Sequence, residues 1–318
     1  MHSSTNKIMN PSEWLLLTIL SVLWGGSFFF GEVALIELSP FTVVFGRVCL
    51  AAIALNVITM VRGHSMASYR KMWDAFLIMG TLNNLLPFSL IFWGQIQITS
   101  GLAAILNATT PLWAVVLAHF FTTDEKLTPY RFGGVLLGLF GVILIIGPGA
   151  LRNAGINFLA QAAVIGAALS YAFAGLFGKR FKQIPPLVTA TGQITGTTIM
   201  MIPLVLVVDQ PWTLSLPSLS TWGALIGLAL LSTTVAYIIY FRLLASVGAT
   251  NLLLVTFLIP VSALILGMTF LGERLDLIHF MGMVLIGTSL IAVDGRLLKT
   301  FKAYLSHSEV PQLPNDSH

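Results

Sequence analysis

Charge is what this sequence has least of. Only 9% of its 318 residues are Asp, Glu, Lys or Arg, against roughly 25% in an ordinary soluble domain, while 56% are hydrophobic. A soluble fold of this length needs far more polar surface, so the bilayer is the expected solvent. Cysteine is nearly absent. The single residue, Cys49, falls inside an apolar run and excludes an intrachain disulfide framework; it reads as a small packing residue or a reactive thiol. The six histidines (His2, His64, His119, His279, His307, His318) form no ligand cluster. There is no H-E-x-x-H zinc pair, no G-x-S-x-G nucleophile elbow and no P-loop. These absences argue against an enzyme and against a self-contained nucleotide-driven pump, and no cofactor is implied.

What the chain does have is apolar runs of about 20 residues, the length that spans roughly 30 Å of hydrocarbon at 1.5 Å per helical residue. They cover Trp14–Ile36, Phe41–Met60, Met72–Trp93, Gly101–Phe121 and Phe132–Ile146, then Phe158–Phe177, Leu187–Val208, Trp222–Phe241, Leu252–Leu271 and Leu277–Leu290. The expected fold is all-α and integral to the membrane, with ten transmembrane helices joined by short loops. An amino-terminal stub (1–12) and a tail (297–318) containing Pro311 and Pro314 flank them, leaving no room for a soluble catalytic or binding domain. The first run does not read as a cleaved signal peptide, having only Lys7 upstream and no A-x-A-type site.

Net charge is +4 and the pI about 9.3, but placement of the charges indicates topology, not nucleic-acid binding. With the amino terminus in the cytoplasm, that side receives Lys7, Arg62, Arg70, Lys71, Lys126, Arg131, Lys179, Arg180, Lys182, Arg242, Arg296, Lys299 and Lys302. The opposite side receives Arg152 and Arg274, and Arg47 lies within a span. Thirteen against two follows the positive-inside rule and puts both termini in the cytoplasm.

The two halves resemble each other at a spacing of 146 to 149 residues. Trp24-Gly25 aligns with Tyr171-Ala172, Gly31 with Gly178, and Pro40 with Gly46-Arg47 aligns with Pro186 and Gly192-Gln193. Asn107 and Pro111 match Thr256 and Pro260, and Phe121 with Glu125-Lys126-Leu127 matches Phe270 with Glu273-Arg274-Leu275. Five spans per copy is odd, so the second copy (156–296) enters the membrane opposite to the first (13–148). Inverted repeats of this kind build alternating-access carriers around a midplane site, although duplicated scaffolds also occur in channels and a few enzymes.

The paired halves resemble the EamA-type branch of the drug/metabolite transporter superfamily over residues 13–295. The motifs that carry the likeness are Val22-Leu23-Trp24-Gly25-Gly26-Ser27, Gly46-Arg47, the stretch from Ser100-Gly101-Leu102-Ala103-Ala104 to Pro111, and Gly272-Glu273-Arg274-Leu275. The resemblance implies a ten-helix transporter, often an exporter of amino acids or related metabolites, in a bacterial inner membrane. Two departures leave the substrate more open: Thr123-Asp124-Glu125-Lys126 lacks the usual glycine before the glutamate, and the Trp24 equivalent is Tyr171.

Polar groups at membrane depth are costly and need a reason. Arg47 lies about 10 Å below the outer end of its helix, counted from Pro40 at 1.5 Å per residue. It either neutralises an anionic solute group or staples helices through backbone carbonyls or Glu32, the nearest acid in depth. Its counterpart is neutral Gln193. Glu32 is the one candidate for proton coupling. Pro87, Pro111 and Pro260 each free the carbonyl four residues earlier, at Asn83, Asn107 and Thr256, all polar. The expected site is a cavity walled by the third, fourth, eighth and ninth helices, with Asn83, Asn84, Asn107, Thr233 and Thr256, plus aromatic walls from Trp24 and Tyr171. The alternative is that the serines and threonines only glue helices together.

Trp93, Trp212 and Trp222 near span ends read as interface anchors. Gly134-x-x-x-Gly138, Gly192-x-x-x-Gly196 and Gly223-x-x-x-Gly227 permit close helix approach within a monomer, or a homodimer through the fifth helix. The expected partners are a small-molecule substrate and the lipid bilayer. The substrate is a small polar metabolite such as an amino acid, or alternatively a drug-like cation or a purine.

Overall fold

The computed structural model describes residues 9–122, 128–146, 156–252 and 254–294, and among them there is helix but no strand. In chain order the helical runs are α1 (Pro11–Leu35), α2 (Pro40–Val61), α3 (Met66–Gln95), α4 (Ser100–Phe121) and α5 (Pro129–Ile146), then α6 (Ile156–Phe181), α7 (Pro186–Asp209), α8 (Leu219–Gly248), α9 (Val255–Phe270) and α10 (Leu277–Asp294). Seven of them are long and apolar enough to cross a membrane, while α5, α9 and α10 are shorter apolar helices.

Helix starts follow local chemistry. Pro11, Pro40 and Pro186 occupy first turns, where a missing N–H costs nothing. α1 begins before the apolar run because Asn10 and Glu13 form a reciprocal capping box: each side chain accepts from the other's backbone N–H at 2.9 Å. Interiors are less regular. π-helical turns occur at Thr81–Leu85 in α3 and Gly227–Val235 in α8, positions related by the repeat spacing. α4 breaks between Asn107 and Thr110, with Pro111 opening its second piece, whereas α9 continues through Pro260.

The packing respects the internal repeat. α1 packs on α9 and α4 on α6; α8 on α1 and α3 on α6; α8 on α2 and α3 on α7; and the self-related pairs α2–α7 and α5–α10 also meet. Exchanging the first five helices for the second five leaves this set unchanged. The self-related pairs run antiparallel. Along α2 and α7, Thr42 meets Asp209, Asn56 meets Thr195 (2.9 Å) and Thr59 meets Thr191 (2.6 Å). Along α5 and α10, Ser289 donates to the Gly134 carbonyl (2.6 Å) while Ile145 lies against Gly282.

Close approach needs small residues. A Cβ on Gly25 would fall 2.7 Å from Ser262 Cβ and 2.9 Å from the Ala263 nitrogen, so α1 and α9 touch through a bare backbone. Gly138 faces Leu112 and Ser289, so the Gly134-x-x-x-Gly138 face of α5 is spent on internal packing with α4 and α10. The outward residues are apolar too: Val57, Phe132, Leu136, Phe140, Ile143 and Val284 are all at least half exposed. A helix that is hydrophobic all round is what hydrocarbon solvent requires. Trp93, Trp212 and Trp222 are exposed as well.

Candidate functional site

Arg47 places a cation in the middle of the bundle. Its side chain is 5% exposed. Nε donates to Thr233 Oγ1 at 2.9 Å and Nη1 to Ser27 Oγ at 3.0 Å, joining α2 to α8 and α1. The guanidinium also lies 3.7 Å over the Phe88 ring of α3, a cation–π contact. Among the described residues no carboxylate approaches within the 4.0 Å of an ion pair. Glu32, expected as one partner of the arginine, instead accepts from Gln95 Nε2 at 3.1 Å, and that same nitrogen donates to the Phe28 carbonyl at 2.9 Å. Depth along two helices places residues in one layer but does not say which way they face.

Beside Arg47 lies a ring of neutral hydrogen bonds. Asn83 Nδ2 donates to Gln193 Oε1 (3.0 Å) and Tyr237 Oη (3.2 Å); Asn84 Nδ2 donates to Gln193 Oε1 (3.4 Å); Tyr237 Oη donates to Asn84 Oδ1 (3.1 Å). The two clusters are repeats of one design. Arg47 and Gln193 are equivalent, and each bonds to a π-helical segment of the other half: Thr233 in α8 for the arginine, Asn83 and Asn84 in α3 for the glutamine. π turns are frequent at functional sites because they redirect side chains off the regular helix. Phe88 and Tyr237 are also equivalent, at a spacing of 149.

The structure thus brings together Arg47 with Thr233, and Asn83, Asn84 and Gln193 with one another. Tyr171 is half-buried within electrostatic reach of Arg47 and Tyr237. Trp24 stacks obliquely on Tyr240, with centroids 5.5 Å apart. Asn107 marks the break in α4; its Oδ1 is buried without a partner, and the carbonyl freed by Pro111 accepts from Thr110 Oγ1 at 2.8 Å. Thr256 is half-buried on α9. Tyr237, Phe88 and Ser27 are the members that reading for polar residues beside prolines missed. Applying the 149 spacing to aromatic residues would have found the first two.

Tyr237 also lines a cleft of about 150 Å³ between α2, α7 and α8, together with Leu55, Ile58, Arg62, Leu187, Ala190, Ile238 and Phe241. The cleft is mostly apolar, with one cation, Arg62, where α2 ends. No group of three metal-ligating side chains occurs among the described residues. Chemically the site offers hydrogen-bond donors around one uncompensated positive charge. Two guanidinium hydrogens are engaged, and five are available on an arginine.

Sequence comparisons agree with this architecture. The model of the EamA-like transporter family matches residues 12–147 and again 158–293. The chain is 24% identical over 275 residues to the uncharacterized transporter YoaV of Bacillus subtilis (strain 168), covering 86% of this chain and 94% of that protein. It is 26% identical over 278 residues to the uncharacterized inner membrane transporter YedA of Escherichia coli (strain K12), covering 87% and 89%. An uncharacterized transporter of Archaeoglobus fulgidus is 27% identical over 307 residues, covering 93% and 100%. One solved structure, described only as "Crystal structure of protein", shares the fold with a TM-score of 0.65 at 17% identity, over 90% of this chain and 98% of its own. Two family matches, one on each half, account for most of the chain, and the protein belongs to the EamA-like transporter family.

Proposed function

We propose that the protein is a secondary carrier that exports a small polar metabolite, an amino acid or a related carboxylate, by alternating access of two inverted five-helix repeats. In this reading all ten helices cross the membrane and both termini are cytoplasmic. The Arg62 end then faces the cytoplasm, and the end bearing Glu37 and Glu273 faces out. The antiparallel α2–α7 and α5–α10 pairs support inversion, because parallel repeats would place equivalent helices side by side in the same direction. A bacterial inner membrane fits the YedA likeness.

One observation carries the substrate class: Arg47 is buried between hydroxyls and a phenyl ring, without an acid among the described residues. A centred arginine costs roughly 2.5–3.5 kcal/mol on insertion scales, and neutral partners leave its charge uncompensated. A solute carboxylate supplies the missing anion, with the Asn83–Asn84–Gln193–Tyr237 ring beside it for polar groups of the same solute. The same charge disfavours drug-like cations. Glu32 serves in this reading as the candidate proton site.

The test is flux of an amino-acid and metabolite panel in proteoliposomes. For the responding solute, Arg47→Ala should lower flux about 10- to 100-fold, the equivalent of losing one hydrogen bond to a charged group. Arg47→Gln, which copies the second repeat, should fold with its hydroxyl contacts retained and transport as poorly as the alanine variant. Undiminished flux in both variants would remove Arg47 from the site. Loss of folded protein in both would make it a helix staple.

A further inference from the structure

At the end of the bundle where α1 meets α2, three carboxylates each reach across from one repeat to a helix amino terminus of the other. Glu37, following α1, accepts from the Ser218 N–H at 2.7 Å and from Thr221 Oγ1 at 2.8 Å, at the start of α8. Asp209, ending α7, accepts from the Thr42 N–H at 2.7 Å and from Thr42 Oγ1 at 2.8 Å, in the first turn of α2. Glu273, following α9, accepts from the N–H groups of Ser100 and Gly101 at 2.7 and 3.1 Å, at the start of α4. First-turn N–H groups have no partner within their own helix and carry the positive end of its dipole, so each contact joins a full negative charge to a fixed partial positive one. No two of the contacts share a carboxylate or a receiving helix.

At the opposite end two of the three equivalent positions differ. The positions that the repeat spacing relates to Glu37 are Gln183 and Ile184, and those related to Asp209 are Arg62 and Gly63; none carries a carboxylate. Glu125, the counterpart of Glu273, lies outside the described residues. The cleft lined by Arg62, Phe241 and Tyr237 lies between α2, α7 and α8, and the ion pair in that region, Asp74 with Arg180 at 3.5 Å, is exposed on both sides.

We propose that Glu37, Asp209 and Glu273 form a latch that holds the two repeats together at this end, so that the conformation described is closed there and the latch must release before the central site opens to that side. The latch rests on the alternating-access reading above and adds to it which contacts set the balance between the two states. Ion-dipole contacts at an exposed or half-exposed surface suit such a latch, because each is weak enough to break and three together bias the equilibrium.

The test is accessibility. In a Cys49→Ala background, Ser27→Cys puts a thiol beside Arg47, and a membrane-impermeant maleimide applied from the Glu37 side reports how often the site opens that way. Combining Glu37→Gln, Asp209→Asn and Glu273→Gln should raise the labelling rate at least threefold over the latch-intact protein. Asp276→Asn, which removes a charge at the same end outside the latch, should not change it. The single Asp209→Asn variant should give a smaller increase and stands in if the triple variant does not fold. Equal rates in latch and control variants, in a protein that labels from each side in turn when solute is supplied, would overturn the latch and leave alternating access standing. A folded protein whose introduced thiol never labels from the Glu37 side, latch or no latch, would overturn both.

Discussion

Hydroxyl groups can orient a guanidinium but cannot neutralise it, and that distinction governs the residues here. Sequence alone places Arg47 at depth and marks Thr233, Gln193, Asn83 and Asn84 as candidates; the structure joins these into two neighbouring clusters. Sequence could not show that Glu32 turns toward Gln95, because facing depends on helix rotation and not on depth. The repeat spacing pairs Tyr237 with Phe88, but only the structure shows its hydroxyl between Asn83 and Asn84. Glu37 permits a prediction at this scale. The Ser218 N–H and hydroxyl, together with Thr221, hold its carboxyl below the usual glutamate value of 4.5. A depressed carboxylate pKa contributes stability above the unfolded value and loses it as pH falls through the folded one. The melting temperature of Glu37→Gln should therefore lie below that of the native protein at neutral pH. The gap should close as pH drops below 4.5, and a gap independent of pH would contradict the contact.

Helices are legible in their apolar centres and less so at their ends and irregularities. α3 begins at Met66, not Met72, and α8 continues to Gly248, not Phe241, because helix persists into polar sequence that no hydrophobic run marks. Proline chemistry alone predicts carbonyls freed toward a cavity. Instead, the Asn107 carbonyl is taken by Thr110, and the helix before Pro87 widens into a π turn, a change of winding that composition does not encode. Glycine spacing is more informative about contact than about partners. Gly25 and Gly223 are both helical, yet an added Cβ meets Ser262 and Ala263 at the first and nothing within 4 Å at the second. Gly25→Ala should cost about 1–3 kcal/mol as an overpacked contact, whereas Gly223→Ala should be neutral or slightly stabilising. Thermal unfolding in detergent compares the two; equal melting points would mean that α1 and α9 can move apart freely.

For the whole molecule, the repeat spacing is a stronger guide than any single motif. It predicts which helices are equivalent, and the principal packed pairs (α1–α9 with α4–α6, α1–α8 with α3–α6, α2–α8 with α3–α7) exchange with one another when equivalents are swapped. What it could not supply is the antiparallel pairing itself, since counting spans yields inversion only if every run crosses. The proposed topology makes the α4–α5 and α9–α10 connections equivalent yet opposite. In a Cys49→Ala background, Asp276→Cys should react with an impermeant maleimide added outside intact cells, and Thr128→Cys only after the cells are opened. Labelling of both from one side would exclude inverted repeats. The uncompensated charge of Arg47 has an electrical consequence for such a carrier. An anion leaving a negative-inside cell gains about 2.3 kcal/mol per elementary charge for each 100 mV, and a zwitterion gains none. A site that selects anions through a permanent cation lets the membrane voltage itself contribute to export, in addition to any proton exchanged at Glu32.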